Sequence, residues 1–196
     1  MRELVIATTN AGKLAEIKAA LEGLPYKVLG AAEVGGLPEV IEDGETLLAN
    51  AQKKARSAAA HTGFLALADD TGLEVDALDG APGVTSARYA GENCSYDDNN
   101  RKLLAELEKA GSKDRRATFR TVMVLAEPKD RSDWVSGSIQ GEISREMRGS
   151  QGFGYDPVFY VPEKRKTFAE LSLLEKNQVS HRGRALNRLK AMLLRW

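Results

Sequence analysis

The order in which apolar runs of two different periods succeed one another constrains this chain most. Leu4 to Ala7 reads as a short buried strand. Ala11 to Glu22 then reads as a helix, with Leu14, Ile17 and Leu21 at helical spacing and Gly23 as its stop. Tyr26 to Leu29 is a candidate strand, PEVIEDGE a loop, and Thr46 to His61 a second helix ending near Gly63. Leu65 and Leu67, alternating with Ala66 and Ala68, make the next buried strand, and Leu73 to Leu78 continues or returns from it. GAPGVTSARYAGEN reads as an ordered loop. A helix begins at Ser95, with Leu103, Leu104 and Leu107 on one side and Gly111 past its end. Strands follow over Thr118 to Ala126, Trp134 to Ser144 and Phe159 to Val161. Thr167 and Glu170 form a capping box, and Ser180 caps a last helix carrying Leu186, Leu189 and Leu193. Early alternation of strand and helix, then a strand-rich centre, predicts an α/β or α+β chain built on one mixed sheet. With 196 residues and neither repeat nor linker, one domain over 1–196 is expected.

Composition narrows the chemistry. Lys plus Arg is 28 and Asp plus Glu is 28, so the chain lacks the positive excess of a general nucleic-acid binder. Cys94 is the single cysteine, and His61 and His181 are the only histidines, which excludes Cys-rich and multi-His metal sites. A metal here must rest on oxygen ligands, as Mg²⁺ does. No apolar run is long enough to span a membrane and MRELVIATTN has no signal-peptide pattern, so a cytoplasmic protein is expected.

Five segments carry candidate chemistry. The strand at Leu65 is read as stopping on two adjacent acids, Asp69 and Asp70, before Thr71 and Gly72. Successive strand residues face opposite ways, so one acid can face a ligand while the other holds backbone or a lysine; two turn-forming aspartates fit the local pattern better. Glu42, in VIEDGE, is a possible partner carboxylate or a plain loop acid. In TTNAGK, Asn10 is a good N-cap, and a helix N-terminus with free N–H groups is an anion site. Lys13 in the first turn opposes the helix dipole, a conflict that a bound phosphate would resolve; a solvated lysine beside an ordinary cap fits the same spacing. On the second helix Leu47, Ala51 and Ala58 form a narrow stripe that contains Lys54 and not Lys53. Lys54 therefore points toward the body of the protein, where it needs an anion unless it snorkels past the small alanines.

The fourth segment is GFGYDP, residues 152 to 157, where glycines flank the ring of Phe153 and Asp156 can accept from a base edge. A turn around a core aromatic is the ordinary alternative. In the fifth, SHRGRA, His181 and Arg182 sit just after a helix cap, again against the dipole unless an anion or electron-rich ring lies near, with Lys176 upstream. An exposed basic helix end is equally consistent with that spacing.

Taken in order, ATTNAGK, EDGET with NAQKKA, ADDTGLEVDALDGAPGVTSARYAG, DRRATF, GFGYDPVF and EKNQVSHRGRAL resemble the inosine/xanthosine triphosphate pyrophosphatases, the non-canonical purine NTP pyrophosphatase family. The likeness runs from residue 7 to about residue 186. It implies an elongated mixed sheet flanked by helices, in two lobes with a central cleft, and a homodimer. It implies Mg²⁺-dependent hydrolysis of ITP, dITP and XTP to the monophosphate and pyrophosphate; the charge balance and the lack of a spanning run set the further expectation of no nucleic-acid or membrane partner. By position, Thr8, Thr9, Asn10, Ala11, Gly12 and Lys13 would bind the triphosphate. Lys54 would hold phosphate or position the reactive carboxylate, Asp70 would be general base and metal ligand, and Thr71 would touch substrate. Glu42 and Asp69 would complete the metal carboxylates. Phe153, Gly154, Tyr155 and Asp156 would stack on and recognise the base, and Lys176, His181 and Arg182 would contact its O6 side.

Two positions depart from the family pattern. Ala49 stands where Glu-Asn-Ala is usual, with Glu45 one turn earlier as a possible substitute, and Gln151 precedes GFGYDP where glycine is common. The rival readings are a Maf-like pyrophosphatase of other nucleotides and a catalytically weak nucleotide-binding protein.

Overall fold

The protein is described by a computed structural model over residues 1–129 and 131–196. Eight strands form one mixed sheet in the order β2-β1-β3-β5-β6-β7-β8, with β4 paired to β3. The strands are β1 (Arg2–Ile6), β2 (Tyr26–Gly30), β3 (Leu65–Val75), β4 (Pro82–Gly83), β5 (Arg116–Ala126), β6 (Ser132–Ile143), β7 (Phe159–Val161) and β8 (Lys166–Thr167). β1 runs parallel to both β2 and β3, while β4 is antiparallel to β3, and β7 is antiparallel to β6 and β8. Among the described residues five α-helices accompany them: α1 (Ala11–Leu21), α2 (Leu47–Thr62), α3 (Tyr96–Lys109), α4 (Leu173–Val179) and α5 (His181–Leu193). The mixed α/β sheet flanked by helices is the expected class.

The helices start where side chains satisfy their first free N–H groups. Asn10 accepts from the Lys13 N–H, Thr46 from Ala49, Ser95 from Asp98 and Ser172 from Glu175. Gly63 closes α2 in the left-handed region at φ 71°, a conformation that glycine takes without steric cost.

β3 departs from expectation. It does not stop on Asp69 and Asp70 but passes through them and continues to Val75. The reason is tertiary, since both acids are buried and receive partners from different helices, as set out below.

The chain forms two compact units: residues 1–70, 121–136 and 185–196 in the first, and 71–120 and 137–184 in the second. β3, β5, β6 and α5 each contribute residues to both. The first unit is cored by Leu4, Ile6, Ile17, Leu21, Leu65, Leu67, Met123, Leu125, Leu186 and Leu189. The second is cored by Leu103, Leu107, Phe119, Phe159 and Phe168 with their neighbours. Each such side chain contributes about 1.5–3 kcal/mol on burial, so these clusters hold the site-bearing backbone in place. Among the described residues no helix is long and apolar enough to cross a membrane.

Candidate active site

The first unit gathers a cluster of alternating charge. Because β3 side chains alternate, Asp69 shares a face with Leu65 and Leu67, which pack with Ile17 and Leu21 of α1. There the carboxylate of Asp69, almost wholly buried, meets the Lys13 ammonium at 2.9 Å. The clash between Lys13 and the α1 dipole is thus answered within the protein by Asp69. Asn10 caps the same turn, and Thr8 Oγ1 accepts from the Asn10 N–H at 3.2 Å. The first N–H groups of the helix, at Ala11 and Gly12, have no intrahelical acceptor by geometry.

Asp70 faces the other way, toward α2. Its Oδ1 lies 3.5 Å from the Lys54 ammonium, and its Oδ2 accepts from Asn50 Nδ2 at 3.3 Å. Lys54 also reaches Glu42 Oε1 at 3.0 Å. Thr121 of β5 donates to the Asp70 carbonyl at 3.0 Å and pins the strand there. The helical stripe read from the sequence therefore selected the right lysine: Lys54 is inward, while Lys53 pairs on the surface with Asp43.

These contacts set the charge states. Burial pushes the Asp70 carboxyl above the ordinary aspartate value; Lys54 draws it back, and the nearby Glu42 carboxylate pushes it further up. Burial would lower Lys54, but Asp70, Asp69 and Glu42 together outweigh it and hold the ammonium above its ordinary value. A carboxyl poised upward beside a firmly charged lysine can accept a proton from water while its neighbour neutralises phosphate charge.

Oxygen donors dominate the cluster, which suits a hard cation. Glu42 and Asp70 both reach the Lys54 ammonium, at 3.0 and 3.5 Å, so the two carboxylates share one neighbourhood. Mg²⁺ is commonly held by one or two carboxylates, with substrate phosphates and water completing its shell, and this donor pair fits that habit. Among the described residues no three His, Cys, Asp or Glu side chains are grouped to hold a metal by themselves. The expected set of Asp70, Glu42 and Asp69 is accordingly not assembled as a cage, because Asp69 turns to Lys13.

The second unit gathers the other candidates. Lys176 is buried and bonded to Asp156 Oδ2 at 2.6 Å, and the same oxygen accepts from the Phe153 N–H at 2.9 Å. Burial raises the Asp156 carboxyl despite Lys176. A Cβ on Gly152 would stand 1.9 Å from Asp156 Oδ2, and its φ of 77° strains any other residue, so a side chain here would displace Asp156. The Lys176 ammonium lies 5.1 Å from the Phe153 ring centre and the Arg182 guanidinium 5.2 Å, both within cation–π range. His181 is stacked on Phe119 at 4.4 Å, with 11° between the planes.

Two of the residues expected at the base have partners within the protein. Tyr155 belongs to the core and its hydroxyl donates to the Ser86 carbonyl at 2.8 Å, so it shapes the turn from below. Asp156 has Oδ2 committed to Phe153 and Lys176, and acts as the organiser of the turn. The Gly154 carbonyl accepts from Asn100 Nδ2, at 2.9 Å, which joins the turn to the start of α3. Phe153 is the half-buried aromatic of the segment, and Thr71, half-buried, follows Asp70 along β3.

Sequence reasoning passed over Asn50, Asn100, Phe119 and Thr121. Asn50 was within reach: it lies four residues before Lys54, beside it on the edge of the inward stripe. The other three have no local signal, since their partners are distant in sequence.

Fold and site together describe a mixed α/β protein with a buried lysine–carboxylate cluster and a separate aromatic–cationic cluster. The chain belongs to the Ham1 family, whose family model matches residues 4–192. It is 55% identical over 190 residues to the dITP/XTP pyrophosphatase of Geobacter sulfurreducens, covering 97% of this chain and 96% of that protein. Among solved structures, a HAM1 protein from Coxiella burnetii matches with a TM-score of 0.93 and 45% identity over all of both chains. A nucleoside-triphosphatase, dITP/XTP pyrophosphatase, from Mycobacterium abscessus matches with a TM-score of 0.77 and 40% identity, over 95% of this chain and 98% of that one.

Proposed function

We propose that the protein is a non-canonical purine nucleoside triphosphate pyrophosphatase that converts dITP, XTP and ITP to the monophosphate and pyrophosphate with Mg²⁺. The observation that carries this is the buried Asp70 carboxyl, raised by burial and set against Lys54, Glu42 and Asn50. The relatives named dITP/XTP pyrophosphatase supply the substrate class.

In this reading the α1 N-terminus, from Thr8 to Lys13, binds the polyphosphate through backbone N–H groups and the Lys13 charge. A water attacks the α-phosphorus as its proton passes to Asp70 Oδ1; the new P–O bond forms, the bond to the bridging oxygen breaks, and pyrophosphate leaves. Lys54 balances charge as it develops on the phosphoryl oxygens. Glu42 and Asp70 would hold Mg²⁺, which supplies further neutralisation of the phosphates when bound. In the second unit Phe153 offers a stacking face, and Lys176, His181 and Arg182 offer donors to a C6 carbonyl. Adenine, with an amino group there, leaves those donors unmatched.

Incubation with dITP, with and without Mg²⁺, tests the reading. Pyrophosphate as first product, dependent on Mg²⁺, is expected; orthophosphate as first product overturns it. Faster turnover of dTTP or UTP than of dITP would favour the Maf-like alternative. A binding protein without catalysis, suggested by Ala49, finds less support, since Asp70, Lys54 and Glu42 meet without any side chain from position 49. The family likeness further suggests a cytoplasmic homodimer, and light scattering reads the oligomeric state.

A further inference from the structure

We propose that Asn50 is a positioning residue for the reaction, a single amide that sets both the Asp70 carboxylate and the loop carrying Glu42. This inference rests on the function proposed above. Asn50 is 1% exposed on the first full turn of α2. Its Oδ1 accepts from the Gly44 N–H at 2.7 Å, while its Nδ2 donates to the Gly44 carbonyl at 3.4 Å and to Asp70 Oδ2 at 3.3 Å.

The orientation of the amide is not free. An N–H of Gly44 demands an acceptor, so the oxygen of Asn50 must face it. The amino group is thereby turned onto the Gly44 carbonyl and Asp70. Asp70 Oδ2 is held by a neutral donor, and Oδ1 is left for Lys54 and the water. Gly44 lies two residues from Glu42, so one side chain fixes the spacing of the two carboxylates that face Lys54. The fit is close: a Cβ on Gly44 would lie 2.6 Å from Asn50 Oδ1 and 2.9 Å from Ala49 Cβ. With alanine at position 49, the loop's fixed bond to this helix turn runs through Asn50.

Two variants separate holding the loop from holding Asp70. Asn50→Asp keeps an acceptor for the Gly44 N–H and loses the donor to Asp70, whereas Asn50→Ala loses both. With dITP and Mg²⁺, kcat is expected to fall about 10–100-fold in each, as for other residues that orient a reactive ligand, with KM changed by less than about threefold. Hydrogen exchange at the Gly44 amide should quicken in Asn50→Ala and stay slow in Asn50→Asp. In an Asp70→Asn background, Asn50→Asp, which keeps the Gly44 bond, should lower the residual kcat by no more than about twofold, because a residue acting through Asp70 is not additive with its loss. Near-wild-type kcat in Asn50→Asp, or losses that multiply in the double variant, overturns the positioning role. A wild-type protein that releases no pyrophosphate from dITP overturns the proposed function itself, and the positioning role with it.

Discussion

At the scale of single residues, the site works against its own stability. Ionised Asp70 is disfavoured by burial and by Glu42, so its folded pKa lies above the ordinary 3.8. A carboxyl raised on folding costs stability at pH above its folded pKa, and that cost disappears as pH falls below 3.8. Asp70→Asn removes the cost and leaves Lys54 paired with Glu42 at 3.0 Å. At pH 7 the variant should melt at or above the wild-type temperature, with the difference closing toward pH 4, while kcat falls by about 100-fold or more. Melting curves across that range, paired with turnover of dITP, check both. A variant that is inactive and also melts lower at pH 7 would mean that Asp70 is a structural member of an ion cluster.

At the scale of elements, α2 shows what periodicity can and cannot reveal. The stripe of Leu47, Ala51 and Ala58 singled out Lys54 and leaves Lys53 on the surface, as the ion pairs confirm. Lys54→Met leaves Glu42 and Asp70 facing each other without the ammonium, an uncompensated pair worth about 3–5 kcal/mol of stability if fully buried and less here, where Glu42 is a third exposed. Lys53→Ala breaks only a surface pair and should stay within about 1 kcal/mol of wild type. Urea denaturation of the two variants ranks them, and equal losses would refute the inward assignment. The continuation of β3 was less legible. Asp-Asp-Thr-Gly has the composition of a turn, and only lysines arriving from α1 and α2 make it tenable as buried strand. Helix α4 was missed for the opposite reason: Leu173 and Leu174 are exposed, so its sequence carries no apolar stripe, although the Ser172–Glu175 capping box marks its start.

At the scale of the whole molecule, chemistry is divided between two units of the chain. The ammonium and carboxylate groups that the proposed function assigns to phosphate lie in the first, on β3, α1, α2 and the Glu42 loop; the aromatic rings and buried cations it assigns to the base lie around Phe153 and the start of α5 in the second. The zero net charge hides this arrangement, because each cation of the clusters has local carboxylate or ring partners. The division predicts two kinds of kinetic defect. Lys13→Ala removes a charge that every nucleoside triphosphate would use, so kcat/KM should fall by a similar factor for dITP and for dATP, leaving their ratio unchanged. If the proposed base contact holds, Arg182→Ala removes a donor that a C6 carbonyl matches and an amino group does not. It should lower kcat/KM for dITP by about 100-fold while altering dATP little, since a site built on polar pairing discriminates through the partner left unmatched. Measuring both substrates with both variants decides the matter. A drop common to dITP and dATP in Arg182→Ala would show that this guanidinium, packed at 5.2 Å against Phe153, supports the ring and does not read the base.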